Sequence, residues 1–263
     1  MLGGLTGFSN KKQRDMGEQM LNAVATQSIR HLFTRCGDLQ VEIRCSPPSK
    51  LLQGSIDSFK MRGNDLVIRR EFKALEMAFE TDAVAIDLGA VLSGKIQLRQ
   101  PTQAIAHIVL TEEAINQAFE AELVKPRLQK LDEPALTRLS GGEPVSFREV
   151  SLTLHPGQQV QVLAKTDLPN RSDIPIHLKA TLEIQKRKRL VFAEHQALLE
   201  GIPEDLQPLS QLLTDALVEI LNKMVDLDKF NLDGITLRLN RLETSGKKLV
   251  FSGYAQVNHF PKV

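Results

Sequence analysis

The sequence predicts an α+β fold, a highly curved antiparallel β-sheet wrapped around a long helix. Three observations lead there. Alternating apolar and polar residues dominate the chain in long groups, the period of strands with one buried face. Only three segments carry helical periodicity, so helices do not intervene between successive strands as a doubly wound α/β sheet requires. The last of these helices is apolar around nearly half its circumference, wider than a flat sheet would cover and suited to a curved one.

The elements follow in order. Residues 15–36 read as a helix, with Asp15 as its cap and Leu21, Val24, Ala25, Ile29 and Leu32 on one face. Val41, Ile43 and Cys45 alternate as a strand until Pro47 and Pro48 break the run. Residues 51–110 read as a meander. Within it, Gly63-Asn64-Asp65 is a turn, and Leu75, Met77 and Phe79 share one face of a strand. Val84, Ile86 and Leu88 share a face of the next, and strands follow at 95–99 and 104–110. Thr111 caps a second helix, whose stripe is Ile115, Phe119 and Leu123 and whose Glu112 and Glu113 suit its positive end. Pro126, Pro134, Gly141 and Gly142 mark an irregular connection. Strands at 145–154 and 160–166 flank a Pro156-Gly157 turn, and the longest alternation, from Ile174 to Ile184, runs into Lys186-Arg187-Lys188-Arg189. The third helix starts near Pro203 or Pro208 and ends near Met224. Leu209, Leu212, Leu213, Ala216, Leu217 and Ile220 lie on its broad apolar face. Strands at 235–239 and 249–257 close the chain.

Length and composition bound the function. The 263 residues fit one large domain or two ordinary ones; we read 1–14 as a flexible segment and 15–263 as a single domain. Its halves, about 15–125 and 140–258, are weakly similar, since the hairpin at 150–162 resembles the one at 235–251. A 42% hydrophobic and 25% charged composition excludes disordered and fibrous classes. The net charge of +1 argues against a protein that coats nucleic acid. Two cysteines, Cys36 and Cys45, cannot build a disulfide scaffold and read as reduced, small apolar residues. The best apolar window, 74–92, is interrupted by Glu76, Glu80, Asp82 and Asp87, so it does not read as a membrane span. The first charges follow the short apolar N-terminal stretch, the reverse of a secretory signal. The expected location is therefore cytoplasmic, at most peripheral at the cytoplasmic face of a membrane. With no Trp, one Tyr and 11 Phe, the apolar content is mainly aliphatic.

Catalytic chemistry is sought and not found. Gly89 to Lys95 has the spacing of a phosphate loop, but Ile96 stands where a magnesium-binding hydroxyl belongs, and a strand rather than a helix should follow. The segment from Asp226 fails as a calcium loop at Phe230 and at Leu237, where a bidentate Glu is needed. The six histidines are scattered and no Cys/His ligand set exists. We expect no enzyme, no cofactor and no metal. Lys186-Arg187-Lys188-Arg189 reads as a solvated hairpin tip or as a contact to an anionic membrane, where each basic residue contributes about 1 kcal/mol. Nucleic acid comes third, because no aromatic residues interleave with these charges.

Several stretches carry a family resemblance. They are Ser-Lys-Leu-Leu-Gln-Gly-Ser-Ile-Asp-Ser-Phe-Lys-Met-Arg-Gly at 49–63, Phe-Glu-Thr-Asp-Ala-Val-Ala-Ile-Asp at 79–87 and Leu-Ser-Gly-Lys at 92–95. Ser-Gly-Gly-Glu-Pro-Val-Ser-Phe at 140–147, Asn-Lys-Met-Val-Asp-Leu-Asp-Lys-Phe at 222–230, Leu-Asn-Arg-Leu-Glu at 239–243 and Phe-Ser-Gly-Tyr-Ala at 251–255 complete the set. The chain resembles the LmeA-like phospholipid-binding family, in the branch common in oxygenic photosynthetic bacteria. The resemblance implies a fold similar to tubular lipid-binding proteins and phospholipid held in an apolar groove without catalysis. On a wrapped sheet, we expect Leu75, Met77, Phe79, Val84, Ile86 and Leu88 to line such a groove, with Leu213 and Ile220 opposite. The leading expectation is a lipid carrier or membrane-peripheral chaperone whose partner is a phospholipid or other acyl lipid. The alternative is an assembly factor that docks a protein partner on its curved sheet.

Overall fold

Alternation in the sequence becomes three antiparallel sheets in the structure, a computed structural model. It describes residues 19, 22–27, 29–47, 49–68, 70–87, 89–90, 93, 97–228 and 234–258. The expected cap Asp15, the segment 1–14, Leu88 and residues 229–233 lie outside the described residues.

The first sheet has six strands in the order β1-β3-β4-β6-β12-β11. These are β1 (Leu39–Arg44), β3 (Ser58–Ile68), β4 (Phe72–Thr81), β6 (Thr102–Thr111), β11 (Ile235–Ser245) and β12 (Lys248–Val257). The second has four, in the order β10-β9-β8-β7: β7 (Phe147–Leu154), β8 (Gln159–Leu168), β9 (Arg171–Gln185) and β10 (Arg189–Ala197). A third pairs β2 (Ser55–Ile56) with β5 (Val84–Ala85). Helices are few: α1 (Ser49–Leu52), α2 (Glu112–Phe119), α3 (Pro134–Leu139) and α4 (Gln207–Met224), besides the N-terminal helical residues 22–27 and 29–30. The α+β class therefore holds. Among the described residues no helix is long and apolar enough to cross a membrane.

Two main cores form. The larger lies between α4 and the second sheet, where Leu213 and Leu217 meet Ile174, Ile176 and Leu178, all at 0% exposure. Strand β9 buries every second residue from Ile174 to Leu182, so this sheet has one apolar face. The smaller core joins Ala25 and Ile29 of the N-terminal helical residues to Leu39, Val41 and Ile43 of β1, with Met61, Ile56, Val84 and Ile86.

Strand edges are the weak points of open sheets, and here each outer strand of the two larger sheets has backbone groups taken up by a neighbour. The Asn22 Oδ1 accepts from the Ile43 N–H of β1 at 2.7 Å. On β7, Asn116 of α2 accepts from the Leu152 N–H at 2.7 Å and donates to its carbonyl at 3.0 Å. Asn222 of α4 accepts from the Phe192 N–H of β10 at 2.7 Å. On β11, the Gln158 side chain donates to the Leu242 carbonyl at 2.9 Å, and the Leu239 N–H donates to the Arg187 carbonyl at 2.7 Å. The last two contacts dock hairpin tips of the second sheet onto the first.

Several expectations need correction. Gly63-Asn64-Asp65 is no turn: β3 runs through it with unchanged register, Asn64 pairing with Glu76 and Leu66 with Ala74, while Asp65 takes a left-handed φ of 51°. The first helix ends by residue 30, because the Thr34 N–H bonds to the Val67 carbonyl and Arg35 bridges Val67. In place of a strand at 95–99, the described residues give a single bridge from Leu98 to Ile86. Thr111 does cap α2, accepting from the Ala114 N–H at 3.1 Å, but Leu123 lies past the helix end and is exposed. Leu212 is 52% exposed, since α4 packs on β9 and β10 along one side only.

A candidate lipid-binding face

Register sets the chemistry of the six-stranded sheet. One cross-strand row reads Val41, Met61, Phe79, Ala106, Gly253, Leu239. A second row on the same face contains Ala104, Ala255 and Leu237. Side chains are large toward both ends and small in the middle. Gly253 must be small: a Cβ there would lie 2.0 Å from the Arg238 carbonyl oxygen, where β11 bulges between Leu239 and Arg241. The outcome is an apolar strip floored by Ala104, Ala106 and Ala255, over which the half-buried Phe79, Ile235 and Leu237 close.

This strip meets a seam between the two cores. Met77 packs with the smaller core, and its cross-strand partner Ile108 packs with the larger. Phe79 touches both the smaller core and the strip. Leu75, Met77, Phe79, Ile108 and Leu110 are all only partly buried. Such side chains can move aside at far lower cost than a filled interior.

Of the residues expected to line a groove, Leu75, Met77 and Phe79 share a face of β4, and Val84 and Ile86 pack in the same small core as Met77 and Phe79. Leu213 and Ile220 are set apart from them, packed in the larger core. Ala104, Ala106, Ile108, Ile235, Leu237 and Ala255 were not singled out from sequence. Their alternation was legible there, but which strands stand beside β4 was not. A separate cleft of about 130 Å³ lies between Phe119, Leu128 and Phe147, lined also by Lys125, Arg148 and Glu149. It is well below the several hundred Å³ that usually enclose a ligand.

The basic run divides in two. Lys188 pairs with Asp228 at 2.5 Å and Arg189 with Asp226 at 3.5 Å. The Lys188 ammonium, with Arg238 adding to it, holds the Asp228 carboxyl below the usual carboxylate range. Lys186 and Arg187 have no carboxylate partner among the described residues, and the Arg187 guanidinium sits 5.7 Å from the Tyr254 ring. Elsewhere Arg148 gathers Asp167 and Asp173 at 2.7 and 3.0 Å, a solvent-facing ion cluster beside the β7 bulge. Among the described residues no His, Cys, Asp and Glu set could hold a metal ion.

A family model for LmeA-like phospholipid binding matches residues 13–253. The chain belongs to the LmeA-like family. No curated protein and no solved structure matches it. The LmeA-like family is named for phospholipid binding and not for a reaction, which points to a non-enzymatic role.

Proposed function

We propose that this protein binds a phospholipid or other acyl lipid along the β4–β6 seam and the Ala104, Ala106 and Ala255 strip, as a carrier or membrane-peripheral chaperone. The observation that carries the reading is a continuous apolar sheet face over whose centre, among the described residues, half-buried side chains close. Each methylene buried there contributes about 0.8 kcal/mol, so a tail covering several of them would be retained. Leu75, Met77 and Phe79 form one bank, Met77 and Phe79 packing with Val84 and Ile86 in the smaller core, while Leu237 and Ile235 form the other. Leu213 and Ile220 serve this site at second hand, by holding the larger core on which Ile108 rests. The tubular arrangement and the photosynthetic-bacterial branch belong to this reading on the strength of the matching stretches alone. Docking of a protein by strand addition is disfavoured, because side chains or hairpin tips already take up backbone groups on all four outer strands.

Native mass spectrometry on gently purified protein tests the proposal. A species heavier by one acyl lipid is expected, and headgroup class follows from its mass. Protein that stays unliganded after incubation with excess phospholipid would remove the proposal.

A further inference from the structure

On the opposite face of the six-stranded sheet Val109, Val250 and Ala78 are at least partly buried, and one apolar pair is left exposed. There Ile105 of β6 and Tyr254 of β12 stand side by side as cross-strand partners, 59% and 45% exposed. The next residue along that row is Arg238 of β11. The β9–β10 tip reaches the same spot, since the Arg187 carbonyl accepts from Leu239 while its guanidinium covers the Tyr254 ring. Most charges around the pair are neutralised: Glu80 by Lys60 at 2.5 Å, and Arg238 by Asp228 at 2.8 Å. Lys186 and Arg187 have no such partner among the described residues, so the patch combines an apolar–aromatic pair with two surplus cations.

We propose that this patch docks the protein on an anionic lipid bilayer, Ile105 and Tyr254 entering the headgroup region while Lys186 and Arg187 meet lipid phosphates. Charge complementarity selects this occupant: surplus cations favour an anionic surface, and a tyrosine ring suits the boundary between hydrocarbon and water. The other half of the basic run takes no part, because Asp226 and Asp228 already hold Lys188 and Arg189. Docking through this face leaves the apolar strip on the far side of the sheet. The proposal rests on the lipid-binding reading for its purpose, yet it is measured separately.

The chain has no Trp and one Tyr, so its intrinsic emission reports Tyr254. Vesicles mixing phosphatidylcholine with phosphatidylglycerol, the former with brominated acyl chains, should quench that emission; vesicles of brominated phosphatidylcholine alone should not. In cosedimentation, Lys186→Asn with Arg187→Asn should weaken partitioning about 25-fold, a factor of about five per cation removed. Asparagine is chosen because both positions have positive φ, at 50° and 59°. Ile105→Asn should weaken it severalfold, while Leu163→Asn, an exposed apolar site on the second sheet, should leave it unchanged. Equal binding to neutral vesicles, an unaltered double variant, or an unquenched Tyr254 in vesicle-bound protein would each overturn the proposal. Concentration-dependent self-association that Ile105→Asn abolishes, without vesicle binding, would reassign the patch to a second copy of the chain. Normal lipid retention with no vesicle docking defeats this proposal alone; docking with no retained lipid defeats the lipid-binding reading alone.

Discussion

Asn22, Asn116, Gln158 and Asn222 perform the same task at four places, each using a side-chain amide to occupy the open edge of a strand. An edge group left without a partner under a packed neighbour costs about 1–3 kcal/mol, so these contacts help fix which element lies against which edge. Nothing in the sequence marks them, because an amide residue in a loop or helix is ordinary until its neighbour in space is known. Asp228 makes a similar tie by charge, gripping Lys188 and Arg238. Its carboxyl is held below the usual carboxylate range in the folded state, with Lys188 as the main cause. A depressed folded pKa contributes stability that is fully present above the unfolded value, about 3.9, and is lost as pH falls through the folded value. Tyr254 emission should therefore stay constant from neutral pH down to about 4 and change only in more acidic solution, as the tip carrying Arg187 loosens. Asp228→Asn should show the acid-form signal already at neutral pH. An identical titration in that variant would show that the pair does not hold the tip.

Helix α4 illustrates what an element reveals of itself. Its broad apolar face was legible, including both Leu212 and Leu217. The structure buries Leu217 completely and leaves Leu212 half out, because the helix meets β9 and β10 on one side and nothing comparable on the other. Leu217→Ala should cost about 2–5 kcal/mol in urea unfolding, the range for emptying a packed core site. Leu212→Gln should stay within about 0.5 kcal/mol of the parent protein. Similar losses for both would mean that α4 is covered on two sides. Strand β3 makes the complementary point. Gly63, Asn64 and Asp65 have turn chemistry, yet pairing with β1 on one side and β4 on the other carries the strand through without a change of register, Asp65 alone taking a positive φ.

At the scale of the whole molecule, the two cores meet along β4 and β6, and the candidate site lies where neither core is complete. Leu75, Met77 and Phe79 were recognisable as one face of a strand because alternation is a local signal. Their opposite bank, Ile235 and Leu237, lies more than a hundred residues away in the chain, and it comes near only because β12 pairs with β6 and β11 with β12. Leu237→Gln should reduce copurifying lipid severalfold in native mass spectrometry, with little change in melting temperature for a half-buried position. Leu212→Gln serves as the control and should retain lipid normally. Undiminished lipid in Leu237→Gln would place the ligand away from this strip.

By itself the sequence determined the α+β class, most of the strands and their apolar faces, the cap of α2, the broad face of α4 and the family. All of these follow from periodicity within short windows or from stretches of residues read in a line. Tertiary structure alone decided that β6 joins β4 to β12, that among the described residues two of four consecutive cations are neutralised and two are not, and that side chains or a hairpin tip engage the outer strands of both larger sheets. Those facts depend on strand register and on hairpin tips reaching another sheet, and such pairings connect residues that no local pattern relates.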